Sequence, residues 1–167
     1  MNEQYYVNLR GQFRPSQTRL ILVAESPPAS GKYFYDPKGR ITEPLFRALI
    51  RDVLGRNVSN KADGLSAFQE AGYILLDATY LPVNKGLSTQ ERDNAILAGY
   101  SRLTQEIVAL SPAKTTPLFL IKTNVCRLLE PKLLRDGFIV KNNGVVVPFP
   151  SSGQQGKFRE AIKLILG

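Results

Sequence analysis

Three short, unbroken apolar runs constrain this chain more than any other feature. They are Leu20-Ile21-Leu22-Val23-Ala24, Tyr73-Ile74-Leu75-Leu76 and Leu118-Phe119-Leu120-Ile121. A strand with one wet face alternates apolar and polar residues. A run without alternation suits a strand covered on both faces, as in a parallel sheet under helices. A fourth region, Phe138-Ile139-Val140 and Val145-Val146-Val147, is split by Asn143-Gly144, a hairpin-type turn signal. Helical patterns fill the gaps. Leu45, Leu49 and Val53 share a face with Phe46 and Ile50. Ser88-Thr89-Gln90-Glu91 reads as a capping box, because Ser88 and Glu91 can satisfy each other's free amides. Ile96, Tyr100, Leu103, Ile107 and Leu110 then follow along one helix face. Residues 123–135 and 154–166 read as further helices, the last with Phe158, Ile162 and Ile165 on one side. Strands alternating with helices predict a layered α/β domain with a mostly parallel sheet.

The 167 residues suit one domain, placed at 19–167 behind a polar, loosely attached lead-in at 1–18. No apolar run approaches the ~18 residues of a membrane span, and the opening Met1-Asn2-Glu3-Gln4-Tyr5-Tyr6 has no signal-peptide apolar segment. The expectation is a cytoplasmic protein. The absence of histidine excludes Ser-His-Asp and Cys-His triads, imidazole acid–base catalysis and His-ligated zinc. The single cysteine, Cys126, excludes an intrachain disulfide and cysteine-built metal clusters; it reads as a small buried apolar residue. No metal and no cofactor are expected. Chemistry falls to carboxylates, Lys, Tyr, Ser and backbone groups. The formal charge of +8, from 22 Lys+Arg against 14 Asp+Glu, favours a polyanionic partner.

In parallel α/β sheets, ligands sit at the carboxyl ends of the strands. The residues just after each apolar run are therefore the candidates: Glu25-Ser26-Pro27-Pro28, Asp77-Ala78-Thr79-Tyr80, Lys122-Thr123-Asn124 and Pro148-Phe149-Pro150-Ser151-Ser152. After the first run come Glu25-Ser26-Pro27-Pro28 and, within ten residues, Tyr33, Phe34 and Tyr35. A carboxylate beside aromatic faces suits a base or sugar pocket; the same residues also suit a Pro-rich turn whose rings cover the sheet edge. Ser30-Gly31-Lys32 is not a triphosphate loop, because Ser26 and Tyr33 stand where that loop needs Gly and Ser or Thr. Asp77, ending the second run, is either a second active-site carboxylate or a turn residue. Lys122, Arg127, Lys132 and Arg135 read more readily as a solvated helix face than as a binding stripe. Phe149-Pro150-Ser151-Ser152-Gly153 precedes the last helix, where hydroxyls and free amides offer an anion site, with Lys157 and Arg159 nearby.

These loops, in this order, resemble the uracil-DNA glycosylase superfamily, closest to its bacterial and archaeal iron–sulfur branch, from about Arg19 to the C-terminus. Leu20 to Pro27 looks like the strand and G-E-x-P-G loop that hold the hydrolytic water. Ser30 to Phe34 resembles the following G-x-P-F, which makes Phe34 the stacker under an extruded base. Asp77 stands where the family carries a base-reading Asn. Leu81-Pro82-Val83-Asn84-Lys85 with Ser88 to Glu91 is similar to the Pro-containing loop and capped helix. Phe149-Pro150-Ser151 stands where H-P-S opens the DNA-clamping loop. The resemblance implies a three-layer α/β/α sandwich with a short, mostly parallel four-stranded sheet. It also implies a monomer that binds single- or double-stranded DNA in repair and flips a base from the stack. Glu25 and Asp77 would be catalytic. Ser26, Pro27, Phe34, Asp77 and Phe149 would contact the base, and Ser151, Ser152 and Lys157 would hold DNA phosphate.

Four departures bear on activity. The glycines flanking the first loop are Ala24 and Pro28, the cluster cysteines are missing, the motif His is Phe149, and the Asn is Asp77. A family enzyme breaks the N-glycosidic bond through a cation-like sugar and an anionic leaving base. Losing one preorganised donor to that base costs ~10²–10³ in rate, and Phe149 donates nothing. An ionised Asp77 accepts only and repels a uracil anion. Either burial keeps Asp77 neutral, or the pocket reads a base that presents a donor such as an amino group. Weak or no uracil activity is expected. Two other readings stand: a non-catalytic module of the same fold that binds nucleic acid or a nucleobase, and a small-molecule hydrolase using Glu25 and Asp77 as a carboxylate pair.

Overall fold

The computed structural model describes residues 2–167. Strand β1 (Leu20–Ala24) lies between β2 (Tyr73–Asp77) and β3 (Leu118–Leu120), and both pairings are parallel. All five β1 residues are buried, as the unbroken apolar run requires. The register sets Ala24 opposite Asp77 and Val23 opposite Leu120. The carboxyl ends of the three strands therefore finish together.

Phe138–Val147 does not form a strand. Val140 makes one isolated parallel bridge to Leu118. Beyond it, the fully buried Asn142 side chain takes over the pairing. It accepts from Leu120 N (2.8 Å) and donates to Leu120 O (3.0 Å) and Val145 O (3.2 Å). A side-chain amide thus satisfies the outer edge of β3 where a fourth strand was expected. The turn at Asn143 and Gly144 is present, both at positive φ.

Among the described residues, seven α-helices accompany the sheet. The lead-in is not loosely attached. It forms α1 (Glu3–Gly11), with Tyr6 and Arg10 buried. Arg10 reaches Glu106 and donates to Tyr80 Oη at 2.6 Å. Helix α2 (Pro44–Ala48) runs on into a π-helical turn at Leu49–Val53. Helix α3 (Lys61–Glu70), capped by Asn60, packs on β2 and was not anticipated. The capping box at Ser88 and Glu91 is formed and starts α4 (Thr89–Ala98). The long helical face beyond it is broken at Gly99, which separates α4 from α5 (Tyr100–Leu110). A Cβ at Gly99 would overlap the Ala78 carbonyl oxygen, so the break brings the helix onto the end of β2. There Arg102 donates to Asp77 O and Ala78 O, both at 2.9 Å. Helix α6 (Thr123–Arg135) packs on β3 and on α4, and α7 (Gln155–Leu166) closes the chain. Among the described residues, no helix is long and apolar enough to cross a membrane.

Candidate functional site

The strand ends build the site. Glu25 follows β1, Asp77 ends β2, and Lys122 follows β3 by two residues. All three line one cavity of about 340 Å³. Its walls include Tyr33, Phe34, Leu45, Phe46 and Leu75, with Ser26, Asn84 and Phe149 at the same space. Two loop contacts hold it together: Ala29 N–H donates to Asn84 Oδ1 (2.8 Å) and Val83 N–H to Ser26 Oγ (3.4 Å). The first loop and the Pro-containing loop are therefore joined beside the cavity.

Glu25 is buried and surrounded by donors. Arg92 reaches both carboxylate oxygens, at 3.1 and 3.2 Å. Lys122 Nζ donates to Oε1 at 2.6 Å, and Asn124 Nδ2 donates to Oε2. Burial alone pushes a carboxyl pKa up, but here the bonds from Lys122, Arg92 and Asn124 together hold it below its usual range. Glu25 is a carboxylate at neutral pH. Lys122 achieves its pose at φ 93°, a left-handed backbone that a non-glycine residue occupies only under constraint from its surroundings. Its own N–H donates to Val147 O at 2.7 Å, which supplies part of that constraint.

Asp77 is equally buried in different company. Tyr33 Oη donates to Oδ2 at 2.9 Å, and among the described residues it is the one side-chain donor to that carboxylate. Desolvation pushes the Asp77 pKa up to about 6, against the Tyr33 bond and the more distant Arg10 and Arg102. The Tyr33 hydroxyl is in turn pushed well up by burial and by the Asp77 charge, so it stays a donor.

A second, more open groove of about 610 Å³ adjoins the first. It shares Arg92, Lys122 and Phe149 with the cavity and adds Thr123, Asn124, Arg127 and Ser151. Arg127 is paired with Asp93 at 2.8 Å, whereas Arg92 and Lys122 share the one carboxylate of Glu25, which leaves the groove with a positive surplus. Arg92 Nε is buried with no partner among the described residues.

The structure brings Glu25, Ser26, Phe34, Asp77 and Phe149 to one cavity and sets Ser151 in the adjoining groove. Phe34 also belongs to the core: its ring packs edge-to-face on Tyr35 and Phe68. Pro27 is buried outside the cavity lining. Ser152 and Lys157 are exposed and line neither space. Ser152 lies inside a turn closed by Gln154 N–H on Ser151 O, with Gly153 at φ 83°, and Lys157 follows that turn in α7.

Of the three donors to Glu25, Arg92 is the one that sequence reading misses; Lys122 and Asn124 stand among the residues after the third apolar run, with no role assigned to them there. Lys122 was grouped with a solvated face, yet it aims inward at Glu25. Its position just past a buried run was the available signal. Cys126 is buried, as expected. No group of three or more Cys, Asp or Glu side chains among the described residues is placed to hold a metal ion. Comparison with family models, with curated proteins and with solved structures finds no match to this chain.

Proposed function

We propose that this chain is a uracil-DNA glycosylase-like protein. It hydrolyses the N-glycosidic bond of a modified or mismatched base in DNA, with altered base preference and weak or no activity on uracil. One observation carries the reading: residues from four separated segments, Glu25, Phe34, Asp77 and Phe149, line a single cavity that opens beside a cationic groove. The cavity's volume lies at the small end of the range for small-molecule sites, which suits one planar heterocycle. The groove suits the phosphates that flank an extruded nucleotide. On this reading β1 to β3 and the bridged Val140 segment form the short sheet of a three-layer α/β/α sandwich. The protein acts as a monomer in the cytoplasm.

In the reaction, water oxygen bonds to the sugar carbon as the carbon–nitrogen bond breaks, the electron pair leaves with the base, the water gives up one proton to solvent and the base anion takes one up. Glu25 stabilises the sugar cation and orients the water. Its approximately four lone-pair positions are already met by Arg92, Lys122 and Asn124. Arg92 and Lys122 also line the groove. A phosphate bound there competes for both cations and releases an oxygen of Glu25 for the water. Excision from oligonucleotides carrying a panel of damaged or mismatched bases tests this. The expected outcome is a base released from at least one substrate, falling ~10²-fold or more in Glu25→Gln while DNA binding persists. Unchanged turnover in that variant, or efficient uracil release by wild type, overturns it.

The saturation of Glu25 favours a second reading, a non-catalytic protein of the same fold that binds nucleic acid or a nucleobase. Salt-sensitive DNA binding without excision of any base in the panel would select it.

A further inference from the structure

The Asp77 carboxylate is 3% exposed, lines the cavity, and receives one hydrogen bond from Tyr33 to Oδ2. Its other oxygen has no protein partner among the described residues. That oxygen is not sealed off from the cavity, and while the group is ionised it can only accept. Tyr33, Phe34, Phe46 and Leu75 offer ring faces and apolar edges to the same space, while Lys32 and Glu43 also line it and make no hydrogen bond to Asp77. Arg92 and Lys122 are drawn instead to Glu25.

We infer that this cavity selects a heterocyclic base bearing an exocyclic amino group, with the free Asp77 oxygen accepting that amino hydrogen. Cytosine and adenine present an N–H₂ donor beside a ring-nitrogen acceptor; the deaminated counterparts, uracil and hypoxanthine, present a carbonyl oxygen at the same place. That oxygen would face the Asp77 oxygen, acceptor against acceptor. Amino and oxo members of each pair have nearly the same shape, so apolar walls alone cannot separate them. A site built around a hydrogen bond rejects the partner that lacks it far more strongly than a hydrophobic pocket rejects a size change. The Asp77 carboxylate is therefore the specificity-determining group of the site, and Tyr33 positions it. Cytosine-type and adenine-type ligands share this edge chemistry and differ in ring size.

This inference takes the cavity as the base site of the proposed function but does not require bond cleavage. Its test is equilibrium dialysis at pH 8 of the full chain with cytosine, uracil, adenine and hypoxanthine as free nucleosides. The expected result is at least ~10-fold tighter binding of an amino member than of its oxo counterpart, with the ring size revealed by which pair binds. Asp77→Asn, whose amide can donate to a carbonyl, is expected to erase or reverse the preference. Tyr33→Phe is expected to keep its direction. Equal binding within each pair, an oxo preference in the wild type, or no binding of any nucleoside overturns the inference. Excision assays read cleavage alone. A protein that selects amino bases without cleaving DNA supports this inference and removes hydrolysis. Cleavage without amino selectivity does the reverse.

Discussion

Glu25 and Asp77 stand at neighbouring strand ends, are 5% and 3% exposed, and have pKa values displaced in opposite directions. Glu25 lies on the side of the groove, where Arg92, Lys122 and Asn124 converge and hold its pKa down. Asp77 lies on the side of the aromatic wall, where one phenol meets it and desolvation prevails, up to about 6. Both are shielded from solvent, Asp77 the more deeply, and the donors around them differ. Pairs of titratable groups pushed apart by their surroundings mark sites where two different roles are needed. Here one carboxylate belongs with charge and phosphate, and the other with a neutral ring.

The largest effect is expected from removing the charged member. Glu25→Leu leaves Arg92 and Lys122 facing each other without a counter-charge. Breaking one side of a buried pair costs ~3–5 kcal/mol. Both cations are about a quarter exposed, so roughly 2–3 kcal/mol is expected at pH 7 after allowing for solvent screening. Urea unfolding measures it. The sign with pH follows from the lowered pKa: the contribution of Glu25 is fully present above its ordinary value of 4.5 and is lost as pH falls through the folded pKa. The gap between variant and wild type should therefore close in acid. A gap that stays constant down to pH 2 would show that packing, not charge, holds this end of β1.

Asp77→Asn should act in the opposite sense and more weakly. A raised carboxyl pKa makes the folded state bind more protons than the unfolded one between 3.8 and about 6. In that window the Asp77 contribution to stability falls as pH rises. The amide has no charge to desolvate and can still accept from Tyr33. The variant should gain ~2 kcal/mol at pH 7.5 and nothing near pH 3. Thermal unfolding at both pH values reads the difference, and a loss at pH 7.5 would mean that the carboxylate is better paired than its surroundings indicate.

The contrast was half legible in the sequence. Unbroken apolar runs located β1, β2 and β3, and with them Glu25 and Asp77 at the strand ends, because burial on both faces is written locally. The capping box at Ser88 was legible for the same reason. The donors around Glu25 were not. Arg92 comes from α4 and Asn124 from α6, so their meeting is a property of packing that no local pattern records. Helix α1 stayed hidden because it has few apolar residues. Buried Tyr6 and the reach of Arg10 to Glu106 and Tyr80 tie it down, across 96 and 70 positions of sequence. The fourth segment pairs with β3 through backbone only at Leu118, and at Leu120 an Asn side chain stands in place of backbone. Asn beside a turn signal reads as turn chemistry, not as an edge cap.

The smallest effect tests how far the charged half extends. Arg127 is half exposed and pairs with Asp93 at 2.8 Å, an arrangement worth little to folding. Arg127→Gln should change stability by no more than ~0.5 kcal/mol. If the groove carries phosphate, the same substitution should lower the slope of log affinity against log salt for single-stranded DNA by about one. Lys157 serves as the control, because it is exposed and lines neither space; Lys157→Gln should leave the slope nearly unchanged. Equal slopes for the two variants would mean that the cations near Glu25 form only an internal counter-charge. The division between a phosphate side and a base side would then end at the cavity mouth. A selective drop for Arg127 would extend that division along α6 and make Lys122, which faces both spaces, the residue where the two halves meet.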